Sequence, residues 1–408
     1  MAGAALAAAA PAPGTVEVRD SVGTLMGTTT GLDAVRDALA LVTTTRVGDV
    51  VPWAVVIGAG TYGDFAVNQR NLTVAGDPAS GVIVSGMGIT DDTAGGCVRI
   101  TRGNVTLGGV TCKAPTRTGI AVSPPNGEGG VVLQGIAVDS AGVDAMSVTG
   151  GAGIVIRDPV ITGPRRSGIR LASLTAVGPY AIVGGSVTGA VANGLELADD
   201  VTKLSVTGLV VTGARSAGIM SKDAGNSDLV LQGVRVTGGA RDGISFSGGG
   251  LRLAVRDSVV AANAGAGIRL ADGTGFAVSG LTLDGSNGGG DLLFTADDRT
   301  GGSYTGLQAG GGFSLPGEPY AVRISAARNG VPASAAGRSR SGAGLSISAT
   351  AAVSRRRVVV RWDRGGTVLR GAGKWARVSS SRRVRGNAQA ILGTSYVGTA
   401  SALYALFG

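Results

Sequence analysis

Apolar and polar residues alternate in short segments that recur along most of the chain. An apolar-x-apolar triplet that closes on Gly or Asp appears as "VVLQG", "IVIRD", "LSVTG", "LVLQG" and "LAVRD". A Gly-Ile pair recurs in step with it, for example at Gly168, Gly218 and Gly243, at intervals of about 25 residues. Period-two alternation rich in Val and Ile indicates β-strands, and a fixed period of this size indicates stacked supersecondary units.

Each period contains three alternating segments separated by residues that favour turns. Ile169 with Leu171 marks one segment, Leu204 with Val206 another, and Val236 a third. Gly, Ser, Asn, Asp and Thr fill the intervals, and no interval has room for a crossover helix. The pattern therefore predicts an all-β, right-handed parallel β-helix with three strands per coil and roughly ten coils. Each strand should pair with its equivalent one coil away, at roughly 4.8 Å.

The composition supports this fold class. The chain has 73 Gly among 408 residues yet is 44% hydrophobic and only 4% aromatic. High Gly alone is typical of disorder, but periodic Val and Ile residues can fill a narrow aliphatic core.

The repeat resembles the right-handed parallel β-helix proteins of the pectate lyase-like superfamily. The Gly-Ile and "LTVAG"-type phrases carry the resemblance over about residues 50–310, and "GLDAVRDALALV" before "GTYGDFAV" is similar to the capping helix and "GTY" turn of that superfamily. Leu32, Val35, Leu39 and Val42 are spaced to share one face of this helix. A helix over the first coil would cover its open strand edges. The fold itself hosts many functions.

The domain organisation follows from where the repeat begins and ends. We expect a signal-peptide remnant or disordered segment at 1–20, a capping segment with a helix at 21–50 and the β-helix at 51–315. A linker at 316–344 and a basic extension at 345–408, either a small β domain or disordered, complete the prediction.

The N-terminal "MAGAALAAAAPAPG" resembles the end of a secretory signal without its positive n-region, and predicts a secreted protein. The chain has two cysteines, Cys97 and Cys112, close enough in sequence to form a short disulfide in an oxidising compartment; two small core residues are the alternative. No segment before residue 380 is long and apolar enough to span a membrane.

The net charge of +9 is unevenly placed. Asp363 is the only acidic residue in 338–408, so most of the excess positive charge lies in the tail and the repeat region is near neutral. The high pI is therefore no sign of nucleic-acid binding by the repeat. The arginines of the tail could contact a polysaccharide or cell-wall glycan, and a solvated surface is the alternative. The oligomeric state does not follow from the sequence.

Candidate chemistry comes from residues that recur at one repeat position, because stacked coils place them side by side. Lyases of the superfamily that the chain resembles act on acidic polysaccharides, hold Ca²⁺ with carboxylates and use a Lys or Arg base. The resemblance implies candidates for a base, for substrate binding and for Ca²⁺ ligation. The candidate bases are Lys203, Lys222 and Arg215. The candidate substrate-binding residues are Arg166, Arg170, Glu196 and Arg241. The candidate Ca²⁺ ligands are Asp199, Asp200 and Asp223.

Three functional interpretations stay open. The first is a polysaccharide- or cell-surface-associated β-helix protein without a catalytic signature, and the second is the Ca²⁺-dependent lyase. The third is an inverting glycoside hydrolase that uses Asp199 with Asp223 as its carboxyl pair. The chain has no histidine, which excludes the histidine-dependent mechanisms of polygalacturonases, major pectate lyases and mannuronan epimerases. Asp in turns and exposed Arg–Glu pairs also have a purely structural interpretation.

Overall fold

In the computed structural model of the chain, short strands form at the predicted apolar triplets and make up the coils of a parallel β-helix. The structure describes residues 10–46, 51–76, 81–85, 96–174, 180–221, 225–226, 228–246, 252–270, 275–283, 286–289 and 292–294, and beyond these the backbone of eight short strands. The chain divides into two units, Met1–Leu204 and Ser205–Gly408. The predicted fold class is confirmed: an all-β, right-handed parallel β-helix with three strands per coil.

Unit 1 begins with a hairpin and a helix, and then runs through successive triplets of strands. The elements before the triplets are β1 (Thr15–Arg19), β2 (Leu25–Thr30) and α1 (Ala34–Thr45). The triplets are β3 (Trp53–Ile57), β4 (Gly60–Gly63), β5 (Phe65–Val67); β6 (Leu72–Gly76), β7 (Val82–Ser85), β8 (Val98–Ile100); β9 (Val105–Gly108), β10 (Val110–Lys113), β11 (Ile120–Val122); β12 (Val132–Gln134), β13 (Ala137–Asp139), β14 (Met146–Thr149); β15 (Val155–Arg157), β16 (Val160–Thr162), β17 (Ile169–Ala172); and β18 (Tyr180–Val183), β19 (Ser186–Thr188), β20 (Leu195–Leu197).

Like strands of successive triplets pair in parallel and give unit 1 three sheets. Sheet A contains the first strand of each triplet, sheet B the second and sheet C the third. The register places apolar residues in line, as where Ile120 pairs with Met146 and Met146 with Ile169. These residues are buried, and the residue between two buried ones points outward. The aliphatic core therefore lies inside the coils, as the alternation predicts.

Unit 2 repeats the triplet arrangement and adds strands of other orientation. The triplets are β21 (Leu204–Thr207), β22 (Val210–Thr212), β23 (Ile219–Ser221); β24 (Leu229–Gln232), β25 (Arg235–Thr237), β26 (Ile244–Phe246); β27 (Arg252–Arg256), β28 (Val259–Ala261), β29 (Ile268–Leu270); β30 (Gly275–Ser279), β31 (Thr282–Leu283), β32 (Leu292–Phe294); and β33 (Gly302–Thr305), β34 (Gln308–Ala309), β35 (Phe313–Ser314). The later strands are β36 (Ala321–Ala326), β37 (Ala333–Arg338), β38 (Gly344–Ala349), β39 (Trp375–Val378) and β40 (Ala388–Ile391). Strand β37 runs antiparallel to β36 and β38, and β39 antiparallel to β40.

The N-terminal end of unit 1 is closed by α1 and the β1–β2 hairpin. Strand β1 runs antiparallel to β3 and extends sheet A. The inner face of α1 buries Val35, Leu39 and Val42. The expected place of Leu32 on this face is wrong, because the helix begins at Ala34 and Leu32 is 59% exposed. The expected "GTY" turn is wrong, because these residues lie in strand β4 of the first coil. The buried Tyr62 hydroxyl donates to the Gly58 carbonyl at 2.8 Å and holds the strand against the segment that precedes it.

The glycine of the Gly-Ile phrase is needed for close packing between coils. A Cβ at Gly168 would lie 2.6 Å from the carbonyl oxygen of Gly194 in the next coil and would overlap the Val187 side chain. A Cβ at Gly218 would lie 2.7 Å from the Gly243 carbonyl oxygen in the same way. The Gly194 and Gly243 carbonyls accept the N–H groups of Ile169 and Ile219, the residues after the two glycines. The Gly-Ile phrase therefore recurs at the start of sheet C strands, where consecutive coils approach closely.

The Gly or Asp that closes each apolar triplet occupies a left-handed turn. Asp158 has φ 48° and Gly184, its equivalent in the next coil, has φ 68°. A Cβ at Gly184 would overlap Oδ1 of Asp158, and a Cβ at Gly280 would overlap Oδ1 of Asp257. An Asp at this turn therefore reaches into space that only glycine leaves open in the following coil.

Strands β36 and β37 lie within 316–344, and the domain boundaries drawn from the sequence stay a prediction. Within the described residues, no helix is long and apolar enough to cross a membrane.

Candidate functional site: a polar strip on sheet C of unit 1

The outward face of sheet C in unit 1 carries a row of polar side chains in consecutive coils. Ser147 pairs in register with Arg170, and Arg170 pairs with Glu196. Strands β14, β17 and β20 hold these residues between two inward apolar positions, so their side chains must point outward. We call Ser147, Arg170 and Glu196, with Arg166 and Asp199 beside them, the sheet C strip.

A column of buried polar residues supports the strip from the turn that precedes sheet C. Asp144, Ser167 and Asn193 stand at equivalent positions of three coils, and each is at most 4% exposed. Oδ1 of Asp144 accepts the Ser167 N–H at 3.1 Å and lies 3.0 Å from Nε of Arg166. The column ties adjacent coils together and holds Arg166 at the edge of the strip.

Glu196 is fixed by the same column. Its Oε2 accepts hydrogen bonds from the Ser167 hydroxyl and from Nδ2 of Asn193, the latter at 3.2 Å. Burial acts to raise the pKa of Glu196, but these two hydrogen bonds and the charges of Arg166 and Arg170 outweigh it and leave the pKa lowered. The two hydrogen bonds fix the position of the Glu196 carboxylate, and the lowered pKa favours its ionised form.

Asp144 has the opposite shift. Burial is the largest influence and raises the pKa of Asp144, although Arg166 and the Ser167 N–H act to lower it. Its side chain is only 4% exposed, so the carboxyl group faces the protein and not solvent. We assign Asp144 a supporting role in the strip.

Arg170 differs from the other charged groups of the strip because one of its N–H groups is buried without a hydrogen bond. Its Nε is buried and makes no hydrogen bond, and its Nη2 lies 3.8 Å from Oδ2 of Asp199, beyond hydrogen-bond length. Its side chain is 24% exposed. Within the described residues, Arg170 is thus held by nearby charge while its N–H donors make no hydrogen bond.

The equivalent arginine of unit 2 shows the contrast. Arg269 occupies the same outward position of its coil and gives two N–H groups to Asp242, Nε to Oδ2 at 2.6 Å and Nη2 to Oδ1 at 3.1 Å. The hydrogen bond to Asp242 raises the pKa of Arg269. Asp242 also accepts the Ala266 N–H at 2.7 Å, so this pair fastens two coils and leaves fewer donors for a ligand.

Another ion cluster of unit 1 has a fastening role as well. Glu128 bridges Arg70 and Arg102 and accepts the Gly103 N–H at 2.8 Å. The hydrogen bond from Arg70 is the largest cause of the lowered pKa of Glu128. All of these groups join turns of neighbouring coils.

The structure brings together four of the residues singled out from the sequence, namely Arg166, Arg170, Glu196 and Asp199, all in unit 1. Asp200 and Lys203 lie just beyond in an exposed turn, where both have positive φ. The two remaining described candidates, Arg215 and Arg241, occupy exposed turns of unit 2. Lys222 and Asp223 lie outside the described residues.

Of the calcium ligands proposed from the resemblance, Asp199 and Asp200 lie among the described residues and Asp223 does not, so the calcium site stays a prediction. Within that part of the chain, no group of three His, Cys, Asp or Glu side chains is placed to hold a metal ion. Asp199 faces Arg170, and a cation next to a guanidinium is unfavourable.

Cys97 and Cys112 form a disulfide with their Cα atoms 5.8 Å apart, and both are buried. It joins the approach to β8 with β10 on sheet B.

Sequence reasoning missed the supporting column. Ser167 and Asn193 come directly before Gly168 and Gly194, so the signal was a polar residue at the position before the glycine of the repeat. Asp144 stands at the same position before Ala145.

These features define a three-sheet parallel β-helix protein with a polar strip on one sheet. No family model and no curated protein matches the chain. Solved structures of similar shape include the catalytic domain of a GH87 α-1,3-glucanase in complex with nigerose (14% identity, 68% of this chain and 53% of that one, TM-score 0.47). Others are the periplasmic alginate epimerase AlgG (11%, 76% and 84%, 0.39) and the Dettilon tailspike protein (14%, 88% and 76%, 0.36). The chain spans about half the length of the glucanase domain.

Proposed function

We propose that this protein is an exported β-helix protein that binds an acidic polysaccharide along the sheet C strip of unit 1. The observation that carries the proposal is Arg170, a partly exposed guanidinium with no hydrogen bond among the described residues. A guanidinium fork matches the geometry of a carboxylate and forms paired, charge-assisted hydrogen bonds with it.

The surroundings of Arg170 favour an extended ligand. Ser147 and Glu196 lie one coil to either side, at roughly the 4.8 Å spacing of parallel strands. Glu196 offers a fixed acceptor for sugar hydroxyls, and Arg166 adds positive charge at the edge. A polymer lying across the coils can contact these groups in turn, with its carboxylate at Arg170.

The test is a binding titration of the full chain with polygalacturonate, alginate and chondroitin, and with an uncharged glucan as reference. Arg170→Ala should weaken binding of the acidic polymers about 10- to 100-fold, because a hydrogen bond to a charged group contributes about 1.5–3 kcal/mol. Arg269→Ala is the matched control, since it removes the equivalent arginine whose donors are already bound to Asp242. Equal affinity for acidic and uncharged polymers, or unchanged affinity of Arg170→Ala, would refute the proposal.

The same samples decide between binding and catalysis. If unsaturated products form on an acidic polymer with Ca²⁺, and the variants Asp199→Asn or Lys203→Ala abolish them, the protein is a lyase. Reducing ends without unsaturation, lost in Asp199→Asn, would indicate the hydrolase. Binding without either product supports the non-catalytic function.

A further inference from the structure

Strand β2 forms an edge of sheet A at the N-terminal end of unit 1. In the described part of the unit its only strand partner is β1, which in turn pairs with β3. Its burial pattern shows every residue of β2 exposed or half-exposed. An edge strand of this kind presents backbone N–H and C=O groups that can pair with another chain.

The edge lacks the charged residues and proline that often prevent pairing, and its one irregularity is a register shift at Met26, where β1 and β2 pair between Val18 and Arg19. The segment from Ser21 to Leu32 contains no charged residue and no proline. The preceding charges belong to β1 and its turn, where Glu17 pairs with Arg19 and Asp20 accepts the N–H groups of the turn.

Exposed apolar side chains are spread along the same segment, two in β2 and one beyond each end of it. Val22 is 81% exposed, Leu25 51% and Met26 38%, and Leu32 at the start of the helix segment is 59% exposed. Single exposed apolar residues are ordinary on a protein surface. Four of them in an uncharged segment beside an open strand edge indicate an interaction surface.

We propose that β2 pairs antiparallel with β2 of a second copy of this chain. A two-fold axis through Thr28 would place Thr28 of one copy opposite Thr28 of the other, and Met26 opposite Thr30, because directly opposite residues of an antiparallel pair share one face of the sheet. The Met26 side chain of each copy then lies beside the Thr30 methyl group of the other, and the two ladders continue as one sheet.

A second copy fits this edge better than a different protein. An isologous contact places the same strand against itself, so any charge near the axis would face its own kind across the interface. The absence of charge over the whole segment satisfies that condition. Recognition of a foreign strand rests instead on side-chain pockets or complementary charge, and the segment contributes no charge.

The experiment is sedimentation velocity of the full chain over a range of concentrations, with two variants. The unmodified chain should dimerise, and Thr28→Lys should weaken the dimer at least tenfold, because it places two ammonium groups beside the axis. Thr212→Lys is the control: it adds the same charge at an exposed position on β22 of unit 2. Circular dichroism checks that each variant keeps its strands.

A single introduced cysteine locates the interface. The two native cysteines are joined to each other, so Thr28→Cys supplies one free thiol per chain. A short bis-maleimide should link Thr28→Cys into a covalent dimer and leave Thr212→Cys as monomer. A monomer at every concentration would overturn the proposal, as would a dimer that survives Thr28→Lys and fails to cross-link through position 28.

Discussion

Replacing Gly168 by Ala tests whether the recurring glycine is set by contact between coils. The added Cβ would lie 2.6 Å from the Gly194 carbonyl oxygen and would overlap Val187. That carbonyl accepts the Ile169 N–H at 3.0 Å, so it cannot retreat without lengthening a ladder hydrogen bond. Overpacking of this kind costs about 1–3 kcal/mol, and we expect the upper part of that range because one neighbour is backbone.

Equilibrium unfolding in urea, followed by circular dichroism, measures the change. Gly108→Ala is the matched control, because its Cβ would meet only the Gln134 carbonyl oxygen at 3.5 Å, an ordinary contact. This control should be neutral or slightly stabilising, by up to about 1 kcal/mol, through the unfolded state. Adding Val187→Ala to Gly168→Ala should restore only part of the loss. If Gly168→Ala and Gly108→Ala unfold at the same urea concentration, the close-packing explanation is wrong.

Two further outcomes follow from unit 1. Replacing Cys97 and Cys112 by Ala should lower the free energy of unfolding by roughly 3 kcal/mol, as expected for a closed loop of about 15 residues, and urea unfolding of the oxidised chain is the comparison. Glu128 has a lowered pKa in the folded state, chiefly through Arg70, so its ionised form stabilises the fold above the ordinary carboxyl pKa and that stability is lost as pH falls through the folded value. Glu128→Gln should therefore be less stable than the unmodified chain at neutral pH and converge with it in acid; a constant difference at all pH values would contradict this origin.

The repeat allowed the coil to be predicted because burial imposes a strict period on apolar residues. Ile120, Met146 and Ile169 occupy the same repeat position because all three fill the shared core. This recurrence of apolar residues can be recognised in a single sequence. The β1–β2 hairpin does not follow from the pattern, since "TVEVR" is five residues long and stands outside the repeat. Val16 and Val18 alternate as in any half-buried strand, but the segment lacks the period of about 25 residues that identifies the coils.

The site was less predictable than the fold. The outward positions of Arg170 and Glu196 follow from the repeat, and the structure places them opposite each other. What decides the chemistry is which carboxylate each arginine meets, and that depends on side-chain direction. Arg269 and Arg170 have equivalent positions, and each has an Asp in the turn one coil back, Asp242 and Asp144. Asp242 binds Nε and Nη2 of Arg269, whereas Asp144 pairs with Arg166.

The turn at Asp158 and Gly184 sets a rule for how such a chain can grow. Because the Asp carboxylate occupies room that the next coil must leave vacant, the two coils are inherited as an ordered pair. Duplicating the Asp158 coil alone would stack one aspartate turn on another, and the lower carboxylate would meet a Cβ where it now meets hydrogen. A glycine coil can be added singly, as the consecutive turns at Gly208 and Gly233 show, but an aspartate coil can be added only where a glycine coil follows it.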